Sequence, residues 1–112
     1  MSMSNIKRTM AEKYAKRFEE IVDPLVAIGI YRSKEEVLYD VLSEITKRKI
    51  DMYRSIMKRF ESKYNMSFEK FTKKLKGKAT PKLEDDWIEW ESARDFLKAW
   101  KRASKEIGIR SS

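Results

Sequence analysis

The residues that come closest to a chemical site are three carboxylates in the last third of the chain, Asp85, Asp86 and Glu89. On a helix, Glu89 lies one turn from both aspartates, and carboxylate oxygens are ligands that a divalent cation accepts. The chain has no histidine and no cysteine, which excludes an imidazole base, a thiol nucleophile, a disulfide and a Cys/His zinc site. These acids are neighbours on one helix. No carboxylate from elsewhere in the chain is evidently placed to join them, and there is no phosphate-cradling loop. We therefore expect no enzyme, no cofactor and no bound metal.

The acidic segment has two further interpretations. Acids at the start of a helix complement its dipole, and each of them typically stabilises the helix by about 0.3–1 kcal/mol. This role alone would explain Glu84, Asp85 and Asp86. Alternatively, carboxylates flanked by tryptophans suit a tight protein interface and would occupy the basic, RNA-binding cleft of a partner nuclease. The residues predicted to bind such a partner are Asp85, Asp86, Trp87, Glu89, Trp90 and Glu91. These tryptophans and Trp100 lie near one face of the helix. The alternative is that they pack in the core against the long helix.

Positive charge is concentrated in the middle of the chain, although the whole chain has a net charge of +8. Residues 47–83 contain 13 bases and 3 acids, whereas residues 84–95 contain 6 acids and 1 base. Bases along one side of a helix can follow a phosphate backbone. The candidate nucleic-acid-binding residues are Lys47, Arg48, Lys49, Arg54, Lys58 and Arg59. Because no aromatic residues placed for base stacking are evident on that side of the helix, we do not expect sequence-specific RNA recognition.

The element that must position these residues is a long helix over about residues 34–64. Apolar residues recur every three or four positions from Val37 to Tyr64, which is the spacing of one helix face. Ser33 is the expected N-cap, and Glu36 completes a capping box. Some thirty residues make a rod of roughly 45 Å. A chain of 112 residues can hardly cover so long an apolar stripe, so we expect a homodimer formed through it.

The remaining helices complete an all-α fold of four or five helices around the long one. A first helix from about residue 6 to 22 is expected to break at Asp23-Pro24, because proline disfavours the α conformation of the residue before it. A short turn then ends at Gly29. Two later helices are marked by start and stop residues, Ser67 and Gly77 for the third, Thr80-Pro81 and Gly108 for the last.

We expect these helices to form one domain, residues 1–112. Within it, residues 1–64 would be the dimerisation half, which also contains the candidate DNA-binding segment. Residues 65–112 would be the partner-binding half. No apolar run approaches the ~18 residues that cross a bilayer, so we expect a soluble, cytoplasmic protein without a membrane partner. The absence of glutamine and the abundance of lysine and glutamate are typical of thermophiles.

The most informative local pattern runs from Gly29 to Glu36, Gly-Ile-Tyr-Arg-Ser-Lys-Glu-Glu. This pattern, Gly-x-Tyr-x-Ser-x-x-Glu, stands between a first helix and an amphipathic second one. Over about residues 10–50 the arrangement resembles the two-helix half of the ribbon-helix-helix antitoxins. Those proteins are dimeric repressors of toxin–antitoxin operons, and they read DNA with an N-terminal strand paired across the dimer. The corresponding segment here, residues 5–9, continues into the helical period. A helix is therefore expected there, with the strand as the alternative.

A second signature joins residues 59–71 to the acidic residues 85–91. Physically, it predicts a helix break at Asn65 and an aromatic cluster at the corner, formed by Phe60, Tyr64, Phe68 and Phe71. The pair of segments resembles small archaeal and bacterial proteins described as antitoxin-like, in which F-E-x-K-Y-x-M-S-F-E-x-F precedes an acidic D-D-x-x-E-W-E helix. Both signatures together span about residues 29–100.

From these observations the favoured function is binding. The resemblance implies an antitoxin-like protein that neutralises a cognate toxin, such as a nuclease, and represses its own operon. Its partners would be a second copy of itself, the toxin and operator DNA. The alternative is a helical nucleic-acid-binding protein that uses the basic middle of the chain.

Overall fold

The computed structural model describes residues 3–108, with side chains from residue 7 onward. This part of the chain forms four helices and no strand, which confirms the all-α prediction. The helices are α1 (Met3–Ala27), α2 (Lys34–Tyr64), α3 (Phe68–Leu75) and α4 (Pro81–Ile107). The long helix lies where the apolar period predicted it. None of these described helices has the combination of length and apolarity that crossing a membrane requires.

The chain divides into two compact units, and the division falls inside α2. The N-terminal unit ends at Val41 and the C-terminal unit begins at Leu42. Most of α2 therefore belongs with α3 and α4, whereas the halves expected from the sequence met at the end of α2.

In the N-terminal unit, α1 is continuous and contains Pro24, so the break expected at Asp23-Pro24 is not present. Proline removes the amide that would donate to the carbonyl of Glu20. Both Glu20 and Pro24 are exposed, so water can reach that carbonyl and satisfy it. Residues 5–9 also belong to α1. This segment is therefore helical and is not the strand that ribbon-helix-helix repressors use.

A Schellman motif ends α1 at the predicted glycine. Gly29 has a φ of +86°, in the left-handed region that favours glycine. The amide of Ile30 donates to the carbonyl of Leu25 and the amide of Gly29 donates to that of Val26, both at 3.0 Å. These two bonds are the ones that define the motif. The stop signal read from the sequence is thus formed by local hydrogen bonds.

The start of α2 is fixed by two side chains of the same turn. The amide of Glu36 donates to Ser33 Oγ at 3.2 Å, as expected for an N-cap. The hydroxyl of Tyr31 donates to the carboxylate of Asp40 at 2.5 Å, which ties the turn to the first part of α2. This hydrogen bond raises the pKa of Tyr31.

In the C-terminal unit, an aromatic core forms where α2 turns into α3. Its buried members are Phe60, Phe68, Phe71 and Trp90. Asn65 has a φ of +53°, which lets the chain reverse direction before Ser67 caps α3. The predicted corner cluster is therefore present, with Trp90 of α4 added to it. Because its own chain covers Phe60, the apolar stripe at this end of α2 is not available for a dimer.

Helices α2 and α4 run antiparallel within this unit. The ring of Phe60 stacks on that of Trp90 with 5.6 Å between centroids, and Tyr53 lies 5.4 Å from Phe96. Earlier residues of α2 thus meet later residues of α4. Further buried residues follow along both helices: Ile50 and Thr46 on α2, then Ala93, Leu97 and Ser104 on α4.

Candidate nucleic-acid interface

Five cationic side chains and no carboxylate line a groove of the C-terminal unit. One of them, Arg54, comes from α2. The others come from the last turns of α4 and are Lys98, Lys101, Arg102 and Lys105. The groove has a volume of about 320 Å³. Every side chain that lines it is cationic.

Helix geometry and the antiparallel packing together assemble this groove. The four cations of α4 are spaced i, i+3, i+4 and i+7, so they share one side of the helix. Leu97 and Ser104 are buried on the adjacent side and fix the rotation of α4. Arg54 follows Tyr53, whose ring contacts Phe96 on α4, and this contact brings Arg54 to the cationic face. Residues more than forty positions apart therefore form one site.

The groove is suited to binding an extended anion. An arginine guanidinium can donate two parallel hydrogen bonds to a phosphate, and a lysine ammonium acts as a mobile point charge. Lys105 also lies in the last turn of α4, where the helix dipole favours a cation. The lining consists of lysine and arginine side chains alone, a composition suited to holding an anion.

The six bases predicted on α2 do not all take part in this face. Lys47, Arg54 and Lys58 are spaced i, i+7 and i+11 and lie on one side of α2, with the acidic Asp51 among them. Arg48 and Lys49 point to other sides of the helix. Arg59 is engaged elsewhere, because its guanidinium contacts the Glu89 carboxylate at 2.7 Å and lies 4.9 Å from the centre of the Phe60 ring.

The cations of α4 were not among the residues predicted from the sequence. Their spacing is visible there, since Lys98, Lys101, Arg102 and Lys105 repeat with the helical period. What the spacing does not reveal is that Arg54 lies across from them. That fact depends on the packing of α2 against α4.

Two carboxylates of the predicted partner site are paired within the chain. Asp86 accepts hydrogen bonds from the ammonium of Lys63, at 2.7 Å, and from the hydroxyl of Tyr64. These bonds lower the pKa of Asp86, the bond from Lys63 having the larger effect. The hydrogen bond to Asp86 raises the pKa of Lys63 in return, while burial is the main cause of the raised pKa of Tyr64. The charge of Asp86 is thus compensated locally, and Glu89 is paired with Arg59 in the same way.

The tryptophans of the predicted partner site belong mainly to the core. Trp90 is 0% exposed, so it has no surface to offer a partner, and its expected role as a contact is corrected to that of a core residue. It is buried because Phe60, Phe68 and Phe71 surround its ring at centroid distances of 5.4–5.6 Å. Trp87 is half-buried, and its indole nitrogen donates to Thr72 Oγ1 at 2.9 Å.

Acidic surface remains on the outer side of α4, opposite the buried side. Asp85 is exposed and Glu91 is half-buried there. Ile88 lies among the acids and is 55% exposed. Asp85, Asp86 and Glu89 do not converge on a cation site, and the described residues contain no group of three or more ligands placed to hold a metal ion.

A third surface is the uncovered apolar side of the N-terminal unit. Val22 and Val37 are the buried apolar side chains described there. On α1, the spacing of Met10, Tyr14 and Ile21 puts them on one stripe, and each is about half or more exposed. Other large apolar side chains exposed in this unit are Ile28, Ile30, Leu38, Tyr39 and Val41. Where such exposed side chains form a contiguous patch, they are typical of an interaction site.

Comparison of the chain with protein-family models, with curated proteins and with solved structures finds no match in any of the three. The resemblance of its two signatures to antitoxin families therefore stays a prediction. Three surfaces of the described chain are candidate binding sites: the cationic groove, the acidic side of α4 and the apolar side of the N-terminal unit.

Proposed function

We propose that this protein binds nucleic acid without strong sequence preference, by contacting phosphates with the cationic groove and the adjoining side of α2. The observation that carries the proposal is the convergence of five cations with no carboxylate among them. The four cations of α4 repel one another, and a bound polyanion would relieve that repulsion. Each neutralised phosphate also releases condensed counterions, which makes binding favourable and dependent on salt.

The lining of the groove also indicates why sequence preference should be weak. Lysine and arginine side chains that contact phosphates position a nucleic acid but carry no sequence information. Base stacking needs aromatic platforms, and the groove is lined by none. The overall charge of +8 would add long-range attraction and speed the encounter.

The test measures binding of a fluorescent DNA duplex by anisotropy at salt concentrations from about 50 to 200 mM. The triple variant Arg54→Glu, Lys98→Glu, Arg102→Glu should bind at least about tenfold more weakly and show a shallower salt dependence. A matched control, Lys70→Glu, Lys73→Glu, Lys76→Glu, makes the same charge change on and just after α3. This control variant should keep the salt dependence of the unaltered protein. Equal losses in both variants would show that net charge and not the groove is responsible.

Two further variants locate the interface along the chain. Charge reversal at Lys47 and Lys58 should weaken binding because they share a side of α2 with Arg54. Reversal at Lys7 and Arg8, which are exposed on α1, should leave it unchanged. Binding lost only in the second pair would instead support DNA recognition by the N-terminal segment.

We also propose that the protein is a homodimer formed through the apolar side of the N-terminal unit. Charge supports a second copy as the partner. Residues 1–41, which make up this unit, contain 7 bases and 7 acids, so two such surfaces approach with little repulsion. The basic C-terminal unit would repel its own copy. This proposal moves the predicted interface away from Ile56 and Phe60, which are packed in the aromatic core.

A second candidate function is neutralisation of a toxin, as the antitoxin resemblance implies. The observation that favours it is the exposed Ile88 among the acids of α4, since an apolar anchor within a charged rim is typical of protein interfaces. Co-expression with the neighbouring gene product should then yield a stoichiometric complex with a small basic protein. Ile88→Ala and Asp85→Ala should weaken that complex without unfolding the chain.

A further inference from the structure

A second concavity of the C-terminal unit combines an apolar lining with lysines, and the proposed nucleic-acid binding makes no use of it. It lies among the last residues of α2, helix α3 and the first turn of α4, and its volume is about 370 Å³. The apolar lining consists of Tyr64, Met66, Phe71, Leu75 and Leu83. Three lysines complete the lining, Lys63, Lys74 and Lys78. We call this concavity the lysine-rimmed pocket.

The apolar wall of this pocket is part of the folded core and is therefore preformed. Phe71 is only 4% exposed, and its ring centroid lies 4.3 Å from that of Tyr64 and 5.4 Å from that of Trp90. The hydroxyl of Tyr64 already donates to Asp86. Met66, Leu75 and Leu83 are partly buried against the same core. A ligand would meet a wall whose positions are set by packing, as is usual for small-molecule sites.

The charges of the pocket are not balanced. Lys63 is compensated, because its ammonium lies 2.7 Å from the Asp86 carboxylate. Lys74 and Lys78 are exposed and form no ion pair with another described residue. No carboxylate lines the pocket. Two ammonium groups thus stand beside an apolar cavity without a counter-charge from the described part of the chain.

We propose that the lysine-rimmed pocket binds a small amphipathic anion, with an apolar body of one or two rings and a carboxylate or phosphate group. The apolar body would displace water from Met66, Leu75 and Leu83, which is favourable in proportion to the apolar area covered. The anionic group would be held by Lys74 and Lys78. A neutral apolar ligand would leave the charges of these lysines uncompensated. A small anion without an apolar part would leave the apolar lining exposed to water. Both chemical features are therefore needed in one ligand.

The first test uses naphthalene-2-carboxylate as the probe and the full-length protein. Binding is followed by NMR chemical shifts and should move the signals of Met66, Leu75 and Leu83. The neutral alcohol naphthalene-2-methanol and the simple anion acetate are the controls, and each should bind at least about tenfold more weakly. Equal affinity for the neutral alcohol would overturn the proposal. So would shifts confined to Tyr14 and Ile21, since those would place the probe on the apolar side of the N-terminal unit.

The second test separates the two lysines of the pocket from charge in general. Lys74→Glu with Lys78→Glu should weaken naphthalene-2-carboxylate binding about tenfold or more. Lys73→Glu with Lys76→Glu, in the same segment but outside the lining, should change it less than about twofold. Equal effects in the two pairs would overturn the proposal. The comparison of the three probes on the unaltered protein decides the question even if a variant fails to fold.

Discussion

The two compact units use the same amphipathic pattern with opposite results. In the C-terminal unit, α3 and α4 return onto α2 and enclose Phe60 and Trp90 almost completely. In the N-terminal unit, Tyr14 and Ile21 stay 63% and 66% exposed. Hydrophobic periodicity therefore identifies the apolar side of a helix but does not tell what covers it. Coverage requires a second element at the right place in the chain, or a second molecule.

Their charges differ as well. The N-terminal unit is nearly neutral, whereas the C-terminal unit brings five cations into one groove. A neutral apolar surface favours self-association, and a basic groove favours a polyanion. We therefore propose association through the first unit and ligand binding by the second. Substitutions in the two units can break or sharpen this comparison. All three tryptophans lie in the C-terminal unit, so their fluorescence reports its unfolding.

The largest effect is expected at the centre of the aromatic core. Trp90→Ala should destabilise the C-terminal unit by about 3–5 kcal/mol, because it removes a fully buried ring and leaves a cavity. Denaturant unfolding followed by tryptophan fluorescence measures it. Ile88→Ala, two residues earlier but exposed, should change stability by less than about 0.5 kcal/mol. Similar midpoints for both variants would mean that Trp90 does not organise this core.

A smaller effect is expected on association, and it should be confined to the N-terminal unit. Tyr14→Glu with Ile21→Glu should convert the proposed dimer into a monomer of 13.4 kDa, measured by light scattering at micromolar concentration. Each apolar side chain withdrawn from an interface forfeits about 1.5–3 kcal/mol. The tryptophan-detected unfolding of the C-terminal unit should not change.

Phe60→Glu should give a different result from the Tyr14→Glu, Ile21→Glu variant. Phe60 is buried in the core, so a charge there should unfold the C-terminal unit and not merely separate two subunits. If the unaltered protein is already a monomer, the dimer proposal fails. If Phe60→Glu gives a folded monomer, the interface lies on the C-terminal end of α2, as first expected from the sequence.

The smallest effect is the dependence of stability on pH through Asp86. Its pKa in the folded chain lies below the ordinary value of 3.8, so its ionised form stabilises the fold. This contribution is complete above the unfolded-state pKa and is lost as the pH falls from there through the lower folded-state pKa. Asp86→Asn should therefore destabilise the C-terminal unit at neutral pH and matter progressively less in acid. The variant Asp85→Asn, which removes an exposed neighbouring carboxylate, is the control and should change the stability little at neutral pH.

Lys63 makes the corresponding prediction at alkaline pH. Its pKa is raised by Asp86, so its contribution is present below the ordinary value of 10.5 and is lost as the pH rises through the higher folded-state pKa. Unfolding curves of Lys63→Met should thus approach those of the unaltered protein only in strong alkali. A pH-independent difference would mean that the pair with Asp86 is not the cause.

Local signals in the chain were sufficient for the helices and most of their ends. Ser33, Ser67 and Thr80 each accept the capping hydrogen bond expected from their position. Gly29 takes the left-handed conformation that its place after α1 predicts. Such signals succeed because a cap joins residues only three or four positions apart. Pro24 is the exception, since the cost of its missing hydrogen bond depends on whether water reaches the helix there.

The binding surfaces could not be predicted from such local signals. The sequence placed acids and tryptophans together on α4, but only the packed structure shows that Trp90 is core and that Asp86 and Glu89 are paired with Lys63 and Arg59. The cationic groove likewise depends on Arg54 reaching the last turns of α4. These pairings join residues far apart in the chain, and their free energy comes from burial and charge contacts that exist only once α2 and α4 are packed. Local spacing determines which side of each helix is apolar or charged, and tertiary packing decides which of those sides remain exposed to bind something else.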